Sequence, residues 1–135
     1  MYKVAKLLLV DSEDNHLVLI RSAHPRFGSD IDLPGGTLEE GESLLDTMVR
    51  EVEEEIGVTV NPNDAVKLYD GDEFSTHGTR YVLFTMQVQS QPTVTVSWEH
   101  SSYEWIPRHE LLKRSKAAND TYMHMVHHAL TGANT

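Results

Sequence analysis

The apolar positions of this chain change period twice. Over residues 2–10 and 16–22 they fall in short runs on either side of a polar stretch, Ser12-Glu13-Asp14-Asn15, the pattern of two paired strands around a turn. A loop over residues 23–32 then leads to Leu33-Pro34-Gly35-Gly36. Beyond it the spacing lengthens to three or four. Leu45, Val49, Val52 and Ile56, joined by Leu44 and Met48, form one apolar helical face expected to dock on a sheet. Ser43 serves as N-cap, with Asp46 three residues on, and Gly57 stands where a left-handed C′ residue belongs. Residues 58–60 extend briefly before Asn61-Pro62-Asn63-Asp64 breaks the run. Strand periodicity returns over residues 65–75 and 79–90, the second richly β-prone in Tyr81-Val82-Leu83-Phe84-Thr85, and again over 102–106. Pro107 opens a short helix through Arg114, and a final helix covers about residues 119–130. This order describes an α/β fold with a mixed sheet held between helices, in one domain over residues 1–135.

Charge sharpens the picture at one place. Residues 36–58 hold eight acids (Glu39, Glu40, Glu42, Asp46, Glu51, Glu53, Glu54, Glu55) against Arg50, a net −7 of the chain's −10, leaving −3 for everything else. The acidity is local. Like charges at helical spacing destabilise a helix, so this concentration asks for cations. Glu51, Glu54 and Glu55 stand at i, i+3 and i+4, which brings their carboxylates out as neighbours, and three close carboxylates are hard to keep ionised without a counter-charge. The Gly35-Gly36 pair lets backbone approach a ligand, and a carbonyl there would join the carboxylates around an oxygen-preferring ion such as Mg²⁺. Glu42 and Arg50, eight residues apart, are expected to pair and fix the carboxylate geometry.

These residues resemble a known family. Gly36, Glu42, Arg50, Glu51, Val52, Glu54, Glu55, Gly57 and Val58 occupy every fixed position of the Nudix box. So many fixed positions over 23 residues are far more specific than a lone glycine motif. The resemblance implies an α/β/α sandwich with Mg²⁺, or Mn²⁺ in its place, bound by Glu51, Glu54 and Glu55 with a main-chain carbonyl of Gly35 or Gly36. It further implies hydrolysis of a nucleoside diphosphate linked to another moiety. For the catalytic base it leaves open a helix glutamate, Glu54 or Glu51, or a distant loop acid. Glu99 is the candidate for that acid, because Glu99-His100-Ser101-Ser102-Tyr103-Glu104-Trp105 resembles a loop that feeds the last strand in several branches of the family. One departure is Ile31, where many members have tryptophan, and it bears on packing behind the nucleotide pocket rather than on chemistry.

Substrate contacts are less sharply marked. Arg21, ending the second strand, lies where the resemblance puts a phosphate-contacting base, with Arg26 and Arg80 as lesser candidates. His77, beside Gly78 in a turn, is a rival base or contact but reads more simply as an exposed side chain. Tyr103, Trp105 and Tyr122 are aromatic rings suited to stacking on a base; Trp105 alternates like a core residue, while Tyr122 fits either role. His124, His127 and His128 include an i, i+4 pair, yet no glutamate motif accompanies them as in a helix-borne zinc site.

Composition narrows the partners. An acidic chain of 135 residues with pI near 5.1 lacks the basic face that duplex nucleic acid requires. The apolar run over residues 7–10 is too short for a membrane span or a signal-peptide core. Cysteine is absent, so disulfides and thiolate metal sites are excluded and a cytoplasmic setting fits. The expected ligand is a small nucleotide: first an ordinary or modified (deoxy)nucleoside triphosphate, then a dinucleoside polyphosphate, then a nucleotide sugar. A nucleotide-binding regulatory module is the non-enzymatic alternative, disfavoured by the complete set of glutamates. A homodimer is left open.

Overall fold

In the computed structural model residues 2–21, 30–75 and 77–132 are described. Their order is β1 (Lys3–Val10), β2 (Asn15–Arg21), β3 (Ile31–Asp32), β4 (Gly35–Thr37), α1 (Leu44–Ile56), a 3₁₀ turn (Pro62–Asp64), β5 (Val66–Gly71), β6 (Arg80–Gln87), β7 (His100–Pro107), α2 (Arg108–Ala117) and α3 (Thr121–Thr131). The central strands β1, β2 and β6 send side chains alternately to two buried faces. Ala5, Leu7 and Leu9 of β1, Leu17 and Leu19 of β2, and Val82, Phe84 and Met86 of β6 meet Met48, Val52 and Ile56 of α1. On the opposite face Leu8, Val10, Val18, Leu83 and Ile106 meet Leu111 of α2 and Tyr122, Met123 and Val126 of α3. Both faces being covered explains why β1 reads as a continuous apolar run, and it makes the architecture the expected α/β/α sandwich.

The sheet is mixed. β1 runs parallel to β6 along its full length, β6 is antiparallel to β5, and β2 is antiparallel to β7. The hairpin anticipated for β1 and β2 pairs only at its closed end, Val10 with His16, and the two strands then diverge. The chain returns through that opening. β3 pairs with β2 at Leu19 and Ile20, and β4 pairs with β1 at Val4, Ala5 and Lys6. Between them Leu7 donates its amide to the Pro34 carbonyl at 2.9 Å. Residues 31–37, which the sequence marks as the end of a loop and a turn, therefore form a wedge of two short strands, which delivers Gly35 and Gly36 to the middle of the sheet.

Three other expectations change. β5 ends at Gly71, four residues early, because the chain turns at Asp72–Phe74. β7 is longer than anticipated, pairing with β2 from Pro107 back to His100. Leu45, assigned to the buried helix face, is 36% exposed: the inner stripe of α1 is Met48, Val52 and Ile56 with Leu44 beside it, and one residue is a turn of about 100°.

Candidate active site

Helix α1 begins and ends as its sequence requires. Ser43 accepts a hydrogen bond from the Asp46 amide at 3.0 Å while the Asp46 carboxylate accepts one from the Ser43 amide at 3.1 Å. Gly57 closes the helix at φ 70°. The last carbonyls are met from outside, since the Thr95 amide donates to the Ile56 carbonyl and the Ser97 amide to the Glu55 carbonyl, both at 3.0 Å.

This fixed helix is held against the glycine turn. The Gly35 amide donates to the Glu55 carboxylate at 2.9 Å. Gly35 has φ 149° and a Cβ there would overlap the Ala5 carbonyl, while a Cβ on Gly36 would overlap the Glu51 carboxyl group. Gly35 therefore demands glycine against the sheet backbone, while a side chain at position 36 would displace the Glu51 carboxyl group from the turn. Burial raises Glu55 to about 7, against the opposing pull of Lys6 and the Gly35 amide.

Arg50 organises the acids. Its guanidinium donates to Glu42 through Nε at 2.7 Å and Nη2 at 3.0 Å, and through Nη1 to Glu51 at 2.8 Å and Glu54 at 3.3 Å. The hydrogen bond from Arg50 lowers Glu42 to about 2, and the Glu42 and Glu51 carboxylates raise Arg50 in turn. The Thr47 hydroxyl also donates to Glu42 at 3.0 Å. Among the described residues no three Asp, Glu or His side chains form a ready-made cage for an ion. Mg²⁺ does not require one, because it keeps several waters and shares ligands with substrate phosphates. The hard oxygen donors of Glu51, Glu54 and Glu55, with Glu51 packed on the bare Cα of Gly36, suit such an ion.

Beneath the turn lies a buried charge network that the sequence reading did not find. Asp32 accepts from Lys6 Nζ at 3.3 Å, from the Tyr122 hydroxyl and from the Leu33 amide, pairs with His100 Nε2 at 2.9 Å, and has Arg21 at 3.6 Å. Lys6 also donates to the Leu33 carbonyl and lies 5.0 Å from the Tyr122 ring centre. Burial alone would raise Asp32, but Lys6, His100, Arg21 and Tyr122 outweigh it and hold its pKa far below the usual carboxylate range. The signal was available in a lysine set inside an apolar strand, since a buried lysine requires a partner.

This network revises two candidates. Tyr122 is 3% exposed, stacks on Tyr81 and accepts the Leu33 amide on its hydroxyl, so no face of its ring is open to a base. Arg21 donates to Asp120 at 3.1 Å beside Asp32; its charge answers two carboxylates of the protein rather than standing clear for a phosphate. Arg80 is likewise bidentate on Asp70. His77 is exposed on the turn between β5 and β6, its amide on the Ser75 hydroxyl. Trp105 is half-buried against the α1 core. Arg26 lies outside the described residues. His124 engages the Ala118 carbonyl and His128 packs on Tyr69 and Phe74, so the histidines of α3 do not face a common ion. Glu99 is exposed at a turn between Ser97, which is bonded to Glu55, and His100, which is bonded to Asp32.

A mixed sheet lies between helices, with an acidic helix clamped to a glycine turn at the sheet's centre, and its carboxylates are oxygen donors of the kind a hard divalent cation takes. The NUDIX domain family matches residues 1–126, and the chain belongs to it. It carries a Nudix hydrolase domain, acting on acid anhydrides in nucleoside diphosphate-linked compounds. Among solved structures it is similar to DR0079 from Deinococcus radiodurans (22% identity, 95% of this chain and 82% of that one, TM-score 0.76). It is also similar to the NUDIX domain of Shewanella oneidensis NrtR, complexed with ADP ribose (21%, 98% and 88%, TM-score 0.73). A third is a MutT/nudix family protein from Enterococcus faecalis (21%, 77% of this chain, TM-score 0.64), of whose length the chain spans 42%. No curated protein sequence matches it. Among the described residues no helix is long and apolar enough to cross a membrane.

Proposed function

We propose that this protein is a Mg²⁺-dependent pyrophosphohydrolase, with Mn²⁺ able to substitute, that cleaves an ordinary or modified (deoxy)nucleoside triphosphate to monophosphate and pyrophosphate. The observation that carries this reading is the clamp of Arg50 on Glu42, Glu51 and Glu54 beside Gly35 and Glu55. Glu51, Glu54 and Glu55, with a carbonyl of Gly35 or Gly36, would hold the cation. Once bound, it neutralises phosphate oxygens and makes water more acidic. Arg50 orients the carboxylates through its planar fork, and Glu42 holds Arg50. Of the three acids hydrogen-bonded to Arg50, Glu54 has the most exposed side chain and the longest bond, which suits it to take a proton from attacking water. Glu99, on its anchored turn, is the second acid of the set.

A dinucleoside polyphosphate is the second reading, favoured by the resemblance of the Glu99-His100 segment to a loop of hydrolases of that class. A panel of nucleoside triphosphates, dinucleoside polyphosphates and nucleotide sugars, with Mg²⁺ or Mn²⁺ in isotopically labelled water, identifies substrate and bond together. Glu54→Gln is expected to lose roughly 10²- to 10⁴-fold in kcat, the range of a general base. Turnover of no substrate by the wild type would instead assign the chain to nucleotide binding alone. Near-normal turnover in Glu99→Gln would remove Glu99 from the catalytic set.

A further inference from the structure

Trp98 is the most exposed of the large apolar side chains described, at 88%, and it stands at a place that is anything but loose. Residues 97–100 form a turn closed by the His100 amide on the Ser97 carbonyl at 3.1 Å. Both ends of the turn are anchored. The Ser97 amide is bonded to the Glu55 carbonyl on α1, and the His100 ring is bonded to Asp32 under the Gly35-Gly36 strand. Trp98 and Glu99 are the two central residues, so the chain holds a bare indole one residue from its attachment to the acidic helix.

We propose that Trp98 is a base-binding residue, its indole stacking on the nucleobase of the nucleotide whose phosphates lie at Glu51, Glu54 and Glu55; this rests on the reading under Proposed function. An exposed tryptophan leaves up to about 250 Å² of aromatic surface in water, and a planar heteroaromatic base is the part of a nucleotide that can cover it. Its backbone is already held by two anchors and the side chain has only two rotatable angles, so ordering it on a ligand costs little. Stacking also suits an acidic chain, because it recruits the nucleoside without a further positive charge, and it tolerates any base. Tyr122 is closed to this role by burial and Trp105 is half-buried, whereas Trp98 has its ring in solvent.

Kinetics of Trp98→Ala and Trp98→Phe on the preferred nucleotide test this. Loss of one stacking partner, about 1–3 kcal/mol, predicts a KM raised roughly 5- to 150-fold in Trp98→Ala, with the effect on KM rather than kcat. Trp98→Phe should recover most of it. Inorganic triphosphate, which carries phosphates and no base, should inhibit wild type and Trp98→Ala equally. An unchanged KM in Trp98→Ala overturns the proposal, and so does an equal weakening of inorganic triphosphate, which would mean that the turn only shapes the phosphate site. Should the wild type hydrolyse nothing, the functional reading fails but the stack is still read separately: adenosine monophosphate should quench tryptophan emission in the wild type and not in Trp98→Phe, which keeps Trp105. Equal quenching in both proteins refutes the stack.

Discussion

Arg50 is a residue whose geometry, and not only its charge, holds the acidic cluster together. One planar guanidinium reaches Glu42 through two nitrogens and Glu51 and Glu54 through a third. Lysine carries the same charge but is a point donor, unable to reproduce the fork. Arg50→Ala should therefore lower activity or metal affinity about 10- to 100-fold, as loss of a ligand's supporting partner does elsewhere, and Arg50→Lys should recover only part; steady-state assays across a Mg²⁺ titration measure both. Neighbouring glycines make a paired prediction. Gly35→Ala drives a Cβ into the Ala5 carbonyl, which belongs to the sheet and cannot move, whereas Gly36→Ala meets the Glu51 side chain, which can rotate away. The first should fail to fold or melt far lower. The second should keep the wild-type circular dichroism and lose activity, and equal melting temperatures for the two variants would contradict this division.

At the scale of elements, α1 is a short helix crowded with like charges that holds its shape through its ends and its inner face. Ser43 and Asp46 satisfy each other's amides reciprocally, so Ser43→Ala removes one bond and strands its amide partner. The expected loss is about 1 kcal/mol, a fall of roughly 3–4 °C in Tm, measurable by calorimetry with the helix otherwise intact. Those ends were legible because caps and helical spacing are local, as were the short β-prone apolar runs of β1 and β6. The wedge of β3 and β4 was not. Ile31-Asp32 and Gly35-Gly36-Thr37 are too short to show a period, and they pair only because β1 and β2 diverge, a property of the whole sheet. In the same way Glu51, Glu54, Glu55 and Arg50, with Glu42 just ahead of the N-cap, could be drawn together from spacing along one helix and its lead-in. The roles of Tyr122 and Arg21 depended on which buried carboxylate they would meet, and that partner, Asp32, comes from a different strand.

For the molecule as a whole, Asp32 is the point where four elements meet: Lys6 comes from β1, Arg21 from β2, His100 from β7 and Tyr122 from α3. Because these contacts join the two ends of the chain beneath the glycine turn, they bear on global stability rather than on one local segment. Asp32→Asn keeps the shape but leaves Lys6 and Arg21 short of a buried counter-charge, a loss of about 3 kcal/mol on the scale of broken buried pairs. Its pH dependence has a definite sign. The folded pKa of Asp32 lies below its unfolded value of about 4, so the unfolded chain takes up the proton first. The stability Asp32 contributes is therefore full above about pH 4 and falls as the pH drops toward the folded value. Urea unfolding of wild type and Asp32→Asn should show a wide gap in midpoint at pH 7, narrowing steadily between pH 4 and pH 2. A gap of constant width over that range would mean that the network stabilises the fold by shape and hydrogen bonding alone, with no contribution from the charge of Asp32.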